Sequence, residues 1–297
     1  MLIRDILKQR YPCISFEFSP PKTDEGVANL IGTIRSLRIL NPAFVSVTYG
    51  AGGSSRARTV EVVTRIKGEL DIEAMAHVTC VGHSADELRE LFEELRSAGI
   101  QNIMALRGDP PKGQERFVAH ADGFRFASEL ITMLSAEFDF SIGAAGNPEK
   151  HQEAPTLEAD IANAVRKVRA GADFIVTQLF FDNDAYFEYV RRLRDEGVEV
   201  PIIPGIMPIT NYEGIARMTQ MSGARIPQRL LAELEARSDE PEAVAELGVA
   251  FCALQCQDLL ARGAPGLHFY TLNKSPATRA VVSALIATRT YRDLVTS

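Results

Sequence analysis

A glutamate stands inside an apolar run near the start of the chain, in Ser15-Phe16-Glu17-Phe18-Ser19-Pro20-Pro21. A carboxylate buried without a partner is costly, so Glu17 must be paired, hydrated or protonated. Partial burial would raise its pKa and suit it to proton donation as a general acid. The other reading is a structural carboxylate in an internal ion pair. A second apolar run ends in charge, at Ala105-Leu106-Arg107-Gly108-Asp109. Arg107 and Asp109 either pair with each other structurally or open a site. His77, in Ala76-His77-Val78-Thr79-Cys80, reads either as a satisfied core imidazole or as a ligand contact. Gln178 follows Thr177 amid Phe174, Ile175, Val176, Leu179 and Phe180, and a buried amide there needs partners. In Val47-Thr48-Tyr49-Gly50-Ala51-Gly52-Gly53, three glycines let backbone come close to a ligand. That run matches neither the dinucleotide nor the P-loop glycine pattern.

These residues recur at one kind of place. Short β-branched and aromatic runs alternate with amphipathic helical stretches along the chain. Eight runs read as strands: Ile14–Ser19, Phe44–Gly50, Glu73–Cys80, Asn102–Gly108, Phe140–Gly146, Phe174–Phe180, Pro201–Met207 and Leu267–Leu272. Most are nearly continuous in apolar character, as parallel strands covered on both faces should be. Eight strands with helices between them predict a closed (β/α)8 barrel, a TIM barrel, over a doubly wound open sheet. In a barrel the loops after the strands build the site. Between strands seven and eight, Thr210–Gly263 has room for two or three extra helices, with a helix boundary at Ser238–Pro241. Ser84 and Glu87 form a capping-box pattern, and Gly99 and Gly171 stand where helices should stop.

The helix after strand five starts near Thr156 and packs through Leu157, Ile161, Ala164, Val165 and Val168. Asp160, Asn163 and Lys167 make a polar stripe beside that face at helical spacing, with Arg166 off it. The stripe is either a solvated face or part of the barrel rim.

The whole chain of 297 residues fits one catalytic barrel domain, residues 1–297. A net charge of −7 opposes a broad nucleic-acid footprint. The N-terminal segment mixes charges with apolar residues at helical spacing, unlike a signal peptide. No stretch approaches roughly 18 uncharged apolar residues, so a cytoplasmic protein with no membrane partner is expected. Cys13, Cys80, Cys252 and Cys256 suggest neither a disulfide framework nor a metal cluster. Cys252 and Cys256 share a helix face.

The chain resembles the methylenetetrahydrofolate reductases, in their short bacterial form, from about Ser15 to Lys274. The runs Ser-Phe-Glu-Phe-Ser-Pro-Pro, Val-Thr-Tyr-Gly-Ala, His-Val-Thr-Cys, Ala-Leu-Arg-Gly-Asp, Pro-Glu-Lys-His, Thr-Gln-Leu-Phe-Phe-Asp, Ile-Pro-Gly-Ile-Met-Pro and His-Phe-Tyr-Thr-Leu-Asn follow in the family's order. The resemblance implies a barrel holding FAD. It implies reduction of 5,10-methylenetetrahydrofolate to the 5-methyl form by NADH or NADPH in a ping-pong cycle, supplying methyl groups for methionine synthesis. By resemblance NADH is preferred. Glu17 would be the general acid toward the folate nitrogen, and Asp109 the carboxylate between flavin and pterin. Gln178 would contact folate and nicotinamide. Thr48, Tyr49, Ala51, His77, Arg107, Gly108, Asp109, Ala127, His151, Asp160, Asn163, Arg166 and Lys167 match FAD-contact positions. The resemblance also implies a homo-oligomer.

Three positions depart from the family's pattern. Asn147 replaces a tyrosine at the FAD site, Met218 a phenylalanine against substrate, and Lys274 an arginine toward the folate tail. Lysine keeps the charge but loses the guanidinium fork. Two other readings follow: direct hydride transfer from nicotinamide to folate without flavin, motivated by Asn147, and a non-catalytic folate- or flavin-binding subunit.

Overall fold

Eight parallel strands close on themselves in sequence order: β1 (Cys13–Phe18), β2 (Phe44–Val47), β3 (Ala74–Thr79), β4 (Asn102–Leu106), β5 (Ser141–Gly146), β6 (Phe174–Leu179), β7 (Ile202–Ile206) and β8 (Gly266–Tyr270), with β8 pairing back onto β1. The architecture is the (β/α)8 barrel that the alternation predicts. The structure is a computed structural model that describes residues 1–49, 56–109 and 117–291. Each of the eight strand readings coincides with an observed strand, six of them shortened at one or both ends, while β1 and β8 begin one residue earlier and end sooner.

The outer ring is α2 (Asp24–Leu37), α3 (Arg56–Leu70), α4 (Ala85–Ser97), α5 (Ala127–Glu137), α6 (Leu157–Arg169), α7 (Asn183–Asp195) and α11 (Pro276–Ala287). A further helix, α1 (Ile3–Gln9), precedes β1. The long excursion resolves into three helices, α8 (Tyr212–Ser222), α9 (Gln228–Glu235) and α10 (Pro241–Ala261), the last opening on the proline expected at its boundary. The capping box at Ser84 and Glu87 forms, and Thr156 caps α6. Gly99 and Gly171 follow α4 and α6 with φ of 77° and 119°, a backbone that side chains resist.

Strand alternation sorts the core into two layers. Ile14, Phe16 and Phe18 of β1 face outward and pack with Val27, Ile31 and Ile34 of α2. Cys13 of β1 and Phe44, Met75, Met104, Phe174 and Ile203 of the other strands fill the barrel's base, against Ile3, Ile6 and Leu7 of α1. The inward positions above that base are polar: Ser15, Glu17, Ser46, His77 and His268. Register places them side by side, with Ser15 beside His268 and Glu17 between Ser46 and Tyr270.

α10 is long and apolar enough, by length and composition alone, to cross a membrane. Its buried residues include Val244, Cys252, Cys256 and Leu259, and the helix packs beside α11 and α7. Cys252 and Cys256 do share the buried face.

Candidate active site

The site starts from Glu17, whose carboxyl sits inside the barrel with a side chain 17% exposed. Its Oε2 lies 3.4 Å from Nε2 of His77 on β3 and 3.4 Å from Nε2 of His268 on β8. Ser15 Oγ lies 2.8 Å from His268 Nδ1, and Ser46 Oγ lies 3.4 Å from its Nε2. The His268 ring also stacks on Phe44, 5.8 Å between centroids. Burial pushes the Glu17 carboxyl up, but the His77 charge together with a hydrogen bond and charge from His268 outweighs it. The result is a pKa below the ordinary carboxylate value. This overturns the expectation that burial would raise it: the sequence showed the apolar strand but not the two imidazoles facing it. For His77, burial is the largest influence, and its pKa is lowered despite Glu17.

Above this group the strand ends form the mouth. Thr271 Oγ1 donates to the Glu17 carbonyl at 2.6 Å. Asn273 bonds both backbone groups of Ser19, donating at 2.9 Å and accepting at 2.8 Å. These bonds tie the loop after β8, where exposed Lys274 sits, to the loop after β1. Thr48 Oγ1 donates to Ser19 Oγ at 3.2 Å and Tyr49 Oη meets His83 Nε2 at 3.1 Å. Ala51 and the glycines around it lie outside the described residues.

Gln178 owes its position to an irregularity. β6 and β7 pair in register at Val176 with Ile203, but next at Leu179 with Gly205, so β6 holds one extra residue. Such a bulge frees backbone groups and re-aims side chains. Here the freed Thr177 carbonyl accepts the Tyr270 hydroxyl at 2.6 Å, and the Thr177 hydroxyl accepts Gly205 N–H at 3.0 Å. Tyr270 reaches Thr177 across β7 because Gly205 has no side chain. A Cβ there would lie 2.1 Å from the Thr177 oxygen and 2.6 Å from the Tyr270 oxygen.

At the end of β4 the pairing also differs from the sequence reading. Arg107 pairs not with Asp109 but with Glu153, through contacts of 2.5 Å and 2.8 Å, and lies over the Phe117 ring. Gly108 takes φ of 88°, with an added Cβ only 2.7 Å from Val81, and turns the chain to present an exposed Asp109.

The α6 stripe divides as its spacing implies. Asp160 is buried and accepts His151 N–H at 2.9 Å, and Lys167 Nζ donates to Ala145 O at 2.6 Å. Burial lowers the Lys167 pKa, against the pull of Asp160. Arg166, exposed, donates to Asn163. Asn147 and His151 lie in the intervening loop, where Glu153 N–H donates to His151 Nδ1 at 3.1 Å. Ala127 begins α5. Met218 lies on α8 in an apolar cluster with Ile215 and Tyr270, part of the wall above β7 and β8.

Sequence reasoning missed His268, Ser15, Ser46 and Tyr270 as parts of this site. A signal existed for two of them. Alternation along Leu267-His268-Phe269-Tyr270 sends His268 and Tyr270 to the same face, and the apolar neighbours fix that face as the interior.

A closed parallel barrel with a carboxylate, two imidazoles and an open ring of strand-end polar groups defines a (β/α)8-barrel enzyme. A family model described as methylenetetrahydrofolate reductase matches residues 2–286, and the chain belongs to that family. It is 37% identical over 272 residues to 5,10-methylenetetrahydrofolate reductase of Escherichia coli (strain K12), covering 92% of this chain and 90% of that one. It is 40% identical over 282 residues to methylenetetrahydrofolate reductase (NADH) 1 of Arabidopsis thaliana, covering 91% of this chain. It spans about half, 48%, of the length of that plant relative. Among solved structures, an uncharacterized protein from Clostridium thermocellum, described as binding two copies of 5-methyl-5,6,7,8-tetrahydrofolic acid, has a TM-score of 0.63 at 16% identity, covering 97% of this chain and 99% of that one. That likeness concerns the fold.

Proposed function

We propose that this chain is one catalytic domain that reduces 5,10-methylenetetrahydrofolate to 5-methyltetrahydrofolate, with NADH or NADPH as reductant and FAD as the cofactor that would make the cycle ping-pong. The observation that carries the reading is Glu17: one carboxyl on the barrel interior, gripped by two imidazoles below a mouth that presents Asp109 and Gln178. Opening the methylene bridge requires a proton on the folate nitrogen, and Glu17 would be the acid that gives it. Asp109, exposed after β4, would stabilise the cationic carbon that results. Gln178 would orient the pterin by its amide, and Lys274 would meet the anionic folate tail.

The polar groups suit FAD. Arg107, His151, Arg166 and Lys167 supply cationic or donor groups along one side of the rim, as a dinucleotide's diphosphate needs. His77 Nε2 is buried without a hydrogen-bond partner. Thr48, Tyr49, Ala51, Gly108, Ala127, Asp160 and Asn163 complete the proposed contacts. Bound there, FAD would supply two-electron storage between nicotinamide and folate. Asn147 favours a second reading, direct transfer from nicotinamide, because it removes an aromatic contact. A flavin absorbance band in the purified protein supports the first reading; a colourless protein that turns over supports the second.

The decisive variant is Glu17→Gln, which keeps the shape and cannot donate an acidic proton. Folate reduction should fall by about 10²–10⁴-fold, while flavin reduction by NADH stays within a few-fold of the parent. Equal loss of both half-reactions would remove Glu17 from the proposed role.

A further inference from the structure

We propose that His268, braced by Ser15, is the positioning residue that sets how tightly Glu17 holds its proton. The inference rests on reading Glu17 as the acid of the reaction.

We take the ring in its Nδ1–H form. Ser15 Oγ has a single hydrogen and two neighbours, His268 Nδ1 at 2.8 Å and the Leu267 carbonyl at 3.4 Å. A carbonyl only accepts, so the hydroxyl donates to Leu267 and accepts from Nδ1–H. Nε2 is then the nitrogen left to face Glu17. Two arrangements then pair Nε2 with Glu17. In one, Glu17 Oε2–H donates to a bare Nε2. In the other, Nε2–H of an imidazolium donates to the Glu17 carboxylate. They differ by one proton moved between Oε2 and Nε2, which lie 3.4 Å apart. Nδ1–H and the Ser15 hydroxyl stay where they are in both.

In the reaction the imidazolium at His268 passes Nε2–H to Oε2, and Glu17 gives that proton to the folate nitrogen, leaving a carboxylate and a bare Nε2. The pair then recovers one proton from solvent per turnover, which matches the proton the overall reduction consumes. His77 does not fill this place. Its Nε2 faces the same carboxylate oxygen but lacks hydrogen-bond geometry. Burial also lowers its proton affinity. The groups that face Glu17 are His77 from β3, His268 and Tyr270 from β8, and the uncharged Ser46 from β2. Tyr270 gives its hydroxyl hydrogen to Thr177, so among these His268 is the proton partner.

The test titrates the Glu17 carboxyl by infrared difference spectroscopy on the purified full chain, with Glu17→Gln as the blank. His268→Gln removes the one imidazole that hydrogen-bonds the carboxylate, so the carboxyl midpoint should rise by about one pH unit. Ser15→Ala leaves the ring but removes the acceptor of Nδ1–H, and the midpoint should rise by less. Ser15→Ala is the small change that keeps the test open if His268→Gln does not fold. The alkaline limb of the folate half-reaction should move in the same direction, with flavin reduction by NADH unmoved. Unchanged carboxyl midpoints in both variants would overturn the proposal, as would a fall in either. Because the midpoints are read without substrate, they decide this inference even if Glu17→Gln leaves folate reduction intact and so removes the reading on which it rests.

Discussion

Among single residues, His77 has the clearest consequence outside catalysis. It is 5% exposed, and burial holds its pKa below the ordinary imidazole value of 6.5. As pH falls through 6.5, the unfolded chain takes up that proton first, so the folded state loses stability. Glu17 acts in the same direction further down. Its pKa lies below the ordinary 4.5, so the unfolded carboxyl protonates first as pH falls through that value. Both signs agree: stability is full near neutrality, declines below about pH 6.5 and declines again through the carboxylate range. His77→Gln should flatten the first decline, and it should also soften the second, because the His77 charge helps to lower the Glu17 pKa. Chemical denaturation between pH 7 and pH 5.5 measures this. An equal slope in parent and variant would show that His77 does not drive the acid sensitivity.

At the scale of elements, the β6 bulge is the feature that turns a barrel wall into a site. Tyr270→Phe removes one hydrogen bond and leaves the Thr177 carbonyl without it. A buried carbonyl that loses its partner costs about 1–3 kcal/mol. The same change releases the strand segment that holds Gln178, so on the proposed function the KM for folate should rise several-fold while nicotinamide oxidation by the proposed flavin is little altered. Steady-state and half-reaction kinetics check the split; an unchanged KM would detach Tyr270 from Gln178. Gly205→Ala should be worse, since its Cβ would strike both the Thr177 and the Tyr270 oxygens. Neither effect was legible in the sequence. The strands themselves were, because a parallel strand covered on both faces must be apolar nearly throughout, and Phe174 to Phe180 is. A bulge depends on register between two strands, and one strand's composition does not state its register. The same limit hid Glu153 as the partner of Arg107: 46 residues separate them, and only the folded rim brings them together. It also hid the lowered pKa of Glu17, whose controlling imidazoles come from β3 and β8.

Over the whole molecule, stability and chemistry lie at opposite ends of the barrel. The base is closed by α1, which sets Ile3, Ile6 and Leu7 against Phe44, Met75, Met104 and Phe174. Polar bonds seat it as well. Ile3 N–H donates to Asn102 Oδ1 at 2.7 Å, Arg4 N–H donates to Ser141 Oγ at 2.9 Å, and the N-terminal ammonium meets Glu73 at 2.5 Å. These contacts join the chain's first residues to β4, β5 and the segment entering β3, so α1 braces strands that are far apart in sequence. The polar layer with Glu17 lies above this plug, and the strand-end loops lie above that layer. A change confined to the base should therefore alter folding without altering the reaction. Ile3 is fully buried, and Ile3→Ala deletes its packing while leaving its backbone bond to Asn102. The expected cost is about 2–5 kcal/mol, read as a lower denaturation midpoint. The KM for folate and the alkaline limb of the folate half-reaction should stay at parent values, measured well below the variant's melting temperature. A several-fold change in either, at that temperature, would mean that the plug sets the height of the Glu17 layer and that the two ends are coupled through the barrel interior.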